Sequence, residues 1–314
     1  MMPGGTKSSY IAIESLLTKM AAQVDDGPCV CYIGPGGSGH FVKTVHNGIE
    51  YGIEQILSEA YDLMKRVCGL DCNEISDVFE YWNSTEELSS YLVEITQACL
   101  RVKDPLNGSS LVEKIMDKAG QKGTGLWTVV SALELGASVP TIYASLNARV
   151  MSSLKSQRKT AEEILSPPQI KNFDLGNSSN GMGPIMDSVV LSTIASYAQG
   201  IEIMKIASDE YSYDLDLTSI AQIWKGGCII RSSLLKRIQD AYNKNRNLQN
   251  LLLDPWFSNQ VSKRIAGLTK TVSCAALSGV PVPCFSSTLD YINSYRTSRL
   301  PQNLVQAMRD CFGS

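Results

Sequence analysis

Hydrophobic residues recur at helical spacing through most of the chain. From residue 39 onward, apolar positions follow an i, i+3, i+4, i+7 pattern, and Pro, Gly, Asn and Asp separate the periodic stretches. The longest predicted helix covers residues 40–67. Further helices are predicted over residues 127–136, 140–165, 184–211, 216–225, 228–243, 258–279, 284–297 and 301–312. The pattern therefore predicts a mainly all-α protein.

Two short motifs predict where helices begin. Ser84-x-x-Glu87 and Ser110-x-x-Glu113 both have the form of a capping box, in which the serine and the acid cap each other's backbone N–H. The segment 171–183 is polar and rich in helix-breaking residues, which predicts an exposed loop.

The first 38 residues have a different pattern. A helix is predicted in "SSYIAIESLLTKMAAQV" and a short strand in "PCVCYIG", at 28–34. Such an αβ piece is typical of the edge of a parallel sheet, but it is too short to form a sheet domain. The sequence therefore divides into an α/β piece at 1–38 and a helical domain at 39–314.

The helical part contains two similar stretches. "YGIEQILSEAYDLM" at 51–64 resembles "QGIEIMKIASDEY" at 199–211. Each is followed by an amphipathic helix that ends in a tryptophan, Trp82 or Trp224, and then by a similar helix. This order indicates a duplicated helical unit, starting near residues 40 and 187. Chance similarity between amphipathic helices is the alternative.

At three positions, the first copy has a polar residue where the second copy has an apolar one. Alignment of Gly52 with Gly200 sets Lys43, Asn47 and Glu50 against Leu191, Ala195 and Ala198. The three polar residues have i, i+4 and i+7 spacing, which places them on one helical face. A solvated surface is one interpretation. Because the flanking residues are apolar and leave no wide polar face, we favour a stripe that faces a crevice.

A glycine motif precedes this stripe. Gly34, Gly36 and Gly39 spell G-x-G-x-x-G, the fingerprint of dinucleotide-binding proteins. That fingerprint requires a strand on both sides of its helix, with an acidic residue after the second strand. Here another helix follows, so we predict a turn into a long helix that lets a ligand or another backbone approach closely.

Composition excludes several classes of protein. The chain has 314 residues, 44% of them hydrophobic and 19% charged, with a net charge of −3. Its lysines and arginines form no basic run, so we expect no nucleic-acid partner. It has no apolar stretch of membrane-spanning length and no signal-peptide pattern, so we expect no membrane partner and a cytoplasmic location. Nine unevenly spaced cysteines favour reduced thiols and no metal site, and two histidines make a Ser-His-Asp hydrolase unfavourable.

Longer motifs show a resemblance to a known family. "MMPGG", "GSGHFVKTVHNGIEYG", "DKAGQKGTGLWT", "IASYAQG", "IWKGGCIIRS" and "LPQNLVQAMRDCFG" together resemble decarboxylating 6-phosphogluconate dehydrogenases, in the family's order. The resemblance implies oxidative decarboxylation of 6-phosphogluconate to ribulose 5-phosphate with NADP, in the pentose phosphate pathway. It also implies a homodimer, with residues 39–314 as an all-helical substrate-binding and dimerisation domain and residues 1–38 as the remnant of a Rossmann-type coenzyme domain.

The resemblance also assigns catalytic roles. Lys43 matches the general base that takes a proton from the 3-hydroxyl, and Glu50 matches the acid that protonates C1 of the enediol. His46 and Asn47 match substrate-positioning groups. For His46, a histidine packed in the helical core is the alternative.

The predicted phosphate site is a second group of residues. Tyr51, Lys122, Thr124 and Arg149 match the family's phosphate ligands, and Arg309 matches a ligand from the neighbouring subunit. A lysine and a threonine between glycines allow the backbone to approach an anion, and the guanidinium fork suits phosphate geometry.

The chain also departs from the family pattern. Leu126, Ala144 and Asn147 replace a lysine, a glutamate and an aromatic residue, with effects that the sequence does not define. The family's nucleotide-binding segment and its C-terminal tail have no counterpart, so no NADP-binding residue is assigned. We expect a truncated member that is inactive alone. A non-catalytic helical dimerisation or sugar-phosphate-binding module is the alternative.

Overall fold

The computed structural model describes residues 1–166 and 182–313. The mainly all-α prediction is confirmed, since the one sheet within these ranges is a two-stranded antiparallel hairpin of β1 (Gln23–Val24) and β2 (Gly27–Pro28). Short 3₁₀ helices lie at Leu111–Lys114 and Leu251–Leu253. The α-helices of the described residues are α1 (Lys7–Met20), α2 (Ser38–Arg66), α3 (Cys72–Asn83), α4 (Tyr91–Arg101), α5 (Thr124–Glu134), α6 (Pro140–Ser153), α7 (Lys155–Ile164), α8 (Gly183–Glu210), α9 (Leu217–Ile223), α10 (Leu234–Lys244), α11 (Pro255–Leu277), α12 (Pro283–Tyr295) and α13 (Gln302–Cys311).

Two long helices, α2 and α8, form the centre of the molecule. They pack against each other, and α8 also contacts α11 and α12, while α5, α6 and α12 contact α2. Residues of α2 such as Val42, Val45 and Ile49 recur every three or four positions and are fully buried. This spacing puts them on one face, so their burial stabilises the helix against its neighbours.

Glycines let α2 approach its neighbours closely. A Cβ atom added at Gly200 would lie 2.6 Å from the Ile49 side chain, and one added at Gly52 would lie 2.7 Å from the Ser196 hydroxyl oxygen. Gly48 meets α5 in the same way, because its added Cβ would lie 2.5 Å from Thr128 Cγ2. The equivalent glycines of the two predicted repeats thus both lie where α2 crosses α8.

The two repeats also meet at their third helices, α4 and α10. Ser90, at the start of α4, forms an antiparallel bridge with Ser232, just before α10. The Tyr91 N–H donates to the Arg231 carbonyl at 3.1 Å, and the Ser233 N–H donates to the Ser89 carbonyl at 3.0 Å. Corresponding segments of the two copies therefore pair with each other, which supports the duplication.

The two predicted capping boxes are wrong. Ser84 follows the last residue of α3, where its hydroxyl donates to the Tyr81 carbonyl. Ser110 precedes a 3₁₀ helix and makes no capping hydrogen bond. The capping box is formed by Asp71 and Glu74 at the start of α3, and Ser90 caps α4. A four-residue motif does not distinguish the turn after one helix from the start of the next.

The predicted strand at 28–34 is also wrong beyond Pro28, the last residue of β2. Instead, the Ile33 N–H donates to the Pro3 carbonyl, and Gly34 bridges Gly4. An extended segment needs neighbouring strands to form a sheet, and here the neighbour is the irregular N-terminal segment.

Two other boundaries differ from the prediction. The helix predicted at 140–165 is broken at Leu154, between α6 and α7, and the one predicted at 228–243 begins only at Leu234. Of the predicted loop at 171–183, residues 171–181 lie outside the described residues. Met182 directly precedes α8, and Gly183 is the first residue of that helix.

A buried carboxylate joins α2 to α12. Glu59 accepts hydrogen bonds from the N–H groups of Cys284 and Phe285, at 2.8 and 3.0 Å, and from Gln55 at 3.1 Å. These N–H groups belong to the first turn of α12, whose preceding residue Val282 has no side-chain acceptor. Burial raises the pKa of Glu59 to about 7, although the three hydrogen bonds oppose the shift.

We predict that Gly48→Ala destabilises the protein. The new methyl group would meet Thr128, which is fully buried and donates to the Thr44 carbonyl at 2.8 Å. The free energy of unfolding should fall by about 1–3 kcal/mol, net of the helix propensity gained. Chemical denaturation measures this change. Gly120→Ala is the control, because a Cβ there meets no described atom within 4 Å. Equal stability of Gly48→Ala and wild type would contradict the prediction.

We predict that Glu59 makes stability depend on pH. Its pKa rises from 4.5 in the unfolded chain to about 7 in the folded protein. Between these values the folded protein binds more protons, so this group lowers stability as pH rises, by on the order of 3 kcal/mol in all.

Glu59→Gln keeps an acceptor oxygen for α12 and removes the titration. Its melting temperature, relative to that of wild type, should therefore increase as pH rises from about 5 to about 8. Parallel melting profiles for the two proteins would refute this linkage.

Candidate functional site

The polar stripe of α2 passes from the surface into the core. Lys43 is exposed, Asn47 is half-buried and Glu50 is buried. Lys43 lines a cavity of about 500 Å³ together with Gly39, His40 and Cys228. The exposed end of the stripe therefore borders a space large enough for a small ligand. Asn47 and Glu50 do not line this cavity, so the prediction that the whole stripe faces one crevice stays a prediction.

His46 links the members of the stripe. Its Nδ1 atom lies 3.2 Å from Lys43 Nζ, 3.3 Å from Asn47 Oδ1 and 3.8 Å from Glu50 Oε2. Its ring is fully buried and stands nearly perpendicular to that of Trp224, with centroids 5.5 Å apart. Burial and the nearby Lys43 ammonium lower the pKa of His46 to about 3, so the imidazole is neutral. His46 is thus both a packed core residue and a contact of the stripe.

Glu50 is suited to hold a proton. Burial and the neighbouring Glu54 raise the pKa of Glu50, while Lys43 and Arg149 oppose the shift. Its Oε2 atom is buried and accepts no hydrogen bond from the described residues. A carboxyl group with a raised pKa keeps its proton to a higher pH than an ordinary glutamate and can donate it to a bound molecule.

Asn47 connects the stripe to α5. Its Nδ2 donates to Thr124 Oγ1 at 3.3 Å. Thr124 is the first residue of α5, and Gly123 before it has a φ of 103°, in the region that favours glycine. Close packing of Gly48 on Thr128 sets the distance between the two helices. The structure therefore brings Asn47 and Thr124 together, as their assignment to one site requires.

Arg149 reaches α2 from α6. Its guanidinium carbon lies 3.7 Å from the centre of the Tyr51 ring, its Nη1 donates to the Gly120 carbonyl at 2.6 Å, and its Nη2 pairs with Glu54. Tyr51 in turn packs against Gly125 at the start of α5. Tyr51, Thr124 and Arg149 thus form one cluster beside the stripe.

Two contacts were missed from the sequence, that of Glu54 with Arg149 in this cluster and that of Trp224 with His46 beside the stripe. Glu54 could have been found from its position one helical turn after Glu50. Trp224 was noted only as the end of a repeated helix, and nothing in its local sequence indicates the contact with His46.

Two predicted residues lie on exposed segments of the chain. Lys122 lies in the exposed turn before α5. Arg309 lies on α13, where every residue is exposed, so its role in a neighbouring subunit stays a prediction. Among the departures from the family pattern, Ala144 is buried, while Leu126 and Asn147 are exposed.

The glycine motif is occupied by the chain itself. A Cβ atom added at Gly39 would lie 2.1 Å from the Met2 carbonyl oxygen, and one at Gly34 would lie 2.4 Å from that of Tyr213. The helix after the motif, α2, is followed by α3 and not by a strand. The glycines therefore admit other backbone segments, and the described residues do not fit a dinucleotide in the manner of the fingerprint.

Within residues 1–166 and 182–313, no group of three or more His, Cys, Asp or Glu side chains could hold a metal ion. None of the helices in the same ranges combines the length and the apolar character needed to cross a membrane.

Comparisons with known proteins agree on one family. Residues 39–314 match the family described as 6-phosphogluconate dehydrogenase, C-terminal domain. The decarboxylating 6-phosphogluconate dehydrogenase of Synechococcus elongatus is 52% identical to this chain, and the match covers 100% of this chain and 67% of that protein. The NADP(+)-dependent, decarboxylating 6-phosphogluconate dehydrogenase of Bacillus subtilis is 48% identical, and the match covers 100% of this chain and 66% of that protein.

A solved structure has the same fold. Plasmodium falciparum 6-phosphogluconate dehydrogenase, studied in its apo form and in complex with NADP+ and with 6-phosphogluconate, superposes with a TM-score of 0.94 at 43% identity. The match covers 98% of this chain and 66% of that one, so the chain spans about two thirds of the length of these relatives. From these matches, the chain belongs to the 6-phosphogluconate dehydrogenase family.

Proposed function

We propose that this chain carries the 6-phosphogluconate site of an NADP-dependent oxidative decarboxylation that yields ribulose 5-phosphate. The observation that carries the proposal is the continuous set of contacts from Lys43 through His46 and Asn47 to Thr124. It joins the two groups of residues that were assigned separately to the reacting carbons and to the phosphate.

The proton transfers belong to the α2 stripe. Lys43, as the neutral amine, takes the proton of the 3-hydroxyl while the hydride of C3 would pass to NADP+, and it returns that proton to the new carbonyl oxygen as carbon dioxide leaves. Glu50 then protonates C1, a task that its raised pKa favours. The neutral His46 can accept a hydrogen bond from the Lys43 ammonium and so hold its position.

The phosphate group binds at the far end of the stripe. Tyr51, Lys122, Thr124 and Arg149 surround it, and a second subunit contributes Arg309. Binding the phosphate away from the reacting carbons fixes the sugar relative to Lys43 and Glu50, which raises the rate as well as the affinity.

The proposed reaction requires NADP+, but we assign no residue of this chain to its binding. NADP+ would accept the hydride, but the described residues provide no parallel sheet, and their glycine turn is filled by backbone. This favours, as a second candidate, a sugar-phosphate-binding module without catalytic activity. A cytoplasmic location also stays a proposal, since some relatives, as in Arabidopsis thaliana, are chloroplastic.

Titration calorimetry with 6-phosphogluconate tests the proposed site. Wild type should bind, and Arg149→Ala should weaken binding by about tenfold or more, because an arginine–phosphate pair is charge-assisted. Lys43→Met should keep the affinity within a fewfold and abolish NADPH formation, if wild type forms it. Binding without NADPH formation would support the second candidate, and absence of wild-type binding would refute both.

The exposed apolar face of α13 supports the proposed homodimer. Leu304, Val305 and Met308 are each about half exposed or more and lie on one side of the helix. We predict that Met308→Lys lowers the mass measured by light scattering from that of a dimer to that of a monomer. Asn303→Lys, which adds the same charge to the same helix, should leave a dimer. A monomeric wild type would contradict this prediction.

A further inference from the structure

Glu54 is a charged residue that the proposed mechanism does not use. It lies on α2, one turn after Glu50, and its carboxylate pairs with Arg149 Nη2. Two carboxylates at i, i+4 repel each other. Burial raises the pKa of both carboxyl groups, and the nearby Arg149 opposes the shift. A negative charge on Glu54 is therefore destabilised by burial and by Glu50, and its pairing with Arg149 offsets this effect.

Arg149 needs an anchor because it crosses between helices. Its guanidinium leaves α6, passes over Tyr51 on α2 and contacts the turn at Gly120. The Gly120 carbonyl and the aromatic face restrain part of the group. The Glu54 carboxylate accepts from the other terminal nitrogen, Nη2, which fixes the direction of the guanidinium plane. The guanidinium N–H groups that do not take part in these contacts can then donate to an anion.

We propose that Glu54 is a positioning residue for phosphate binding, which holds Arg149 in the orientation that receives the phosphate of the sugar. This inference rests on the proposed function. It assigns Glu54 a role through Arg149 and not a contact with the substrate.

The two parts of the carboxylate have opposite effects on an anion. Its oxygen orients Arg149, whereas its negative charge repels the phosphate. Glu54→Gln keeps an acceptor oxygen and removes the charge, and Glu54→Ala removes both. Positioning therefore requires that Gln preserves the affinity for 6-phosphogluconate and that Ala reduces it.

Titration calorimetry of the full chain with 6-phosphogluconate tests this. The dissociation constant of Glu54→Ala should be about tenfold larger than that of wild type, the loss expected for one hydrogen bond to a charged group. Glu54→Gln should bind as tightly as wild type or more tightly. Asp62→Ala is the control, because it removes another carboxylate of α2 that pairs with an arginine, Arg66, at 3.2 Å. Its affinity should not change.

A double-mutant cycle separates positioning from a general effect on the fold. In an Arg149→Ala background, Glu54→Ala should cause no further loss of affinity, because the group that it orients is absent. The melting temperature of each variant establishes that the protein is folded at the temperature of the titration.

The other outcomes refute either the positioning role of Glu54 or the proposed function. Wild-type affinity in Glu54→Ala, equal losses in the Gln and Ala variants, or a further loss in the Arg149→Ala background would each refute the positioning role alone. If wild type does not bind 6-phosphogluconate, the proposed function fails, and this inference fails with it.

Discussion

The close contact of α2 with α8 and α5 is the constraint on which the site depends. At Gly48, Gly52 and Gly200 the neighbouring atoms leave no room for a Cβ atom. This approach buries the apolar face of α2 and brings its polar stripe beside the first turn of α5. Because interiors are packed at near-crystalline density, an added methyl group there changes the separation of two helices and not only one contact. The geometry between Asn47 and Thr124 is thus a consequence of packing further along the same helices.

Burial also gives the site its electrostatic character. His46 is kept neutral and Glu50 holds its proton more strongly than an exposed acid because both leave water on folding. Lys43, which lies at the exposed end of the stripe, and Arg149, from α6, supply the positive charges. The site therefore has acids and bases of altered strength at its buried end and cations around it, an arrangement suited to an anionic substrate that exchanges protons. Such an arrangement requires one helix that runs from surface to core.

Local motifs were reliable only where they agreed with a longer pattern. The helical spacing of apolar residues along α2 and α8 predicted both helices, because the spacing extends over many turns. The capping boxes at Ser84 and Ser110 failed because four residues carry too little information to define a helix start. The glycine motif was correctly separated from a dinucleotide fingerprint, since the pattern after it is helical and not that of a strand. What fills the turn, the carbonyls of Met2 and Tyr213, comes from distant parts of the chain.

The sequence by itself determined the helical class, the duplication and the shared face of Lys43, Asn47 and Glu50, because each follows from the fixed periodicity of a helix. The resemblance to a family supplied roles for residues that periodicity does not distinguish. Only the tertiary structure decided that His46 contacts Trp224, that Glu54 pairs with Arg149 and that Glu59 caps α12. These partners are tens to hundreds of residues apart, and their contacts depend on how helices cross, which no local pattern encodes.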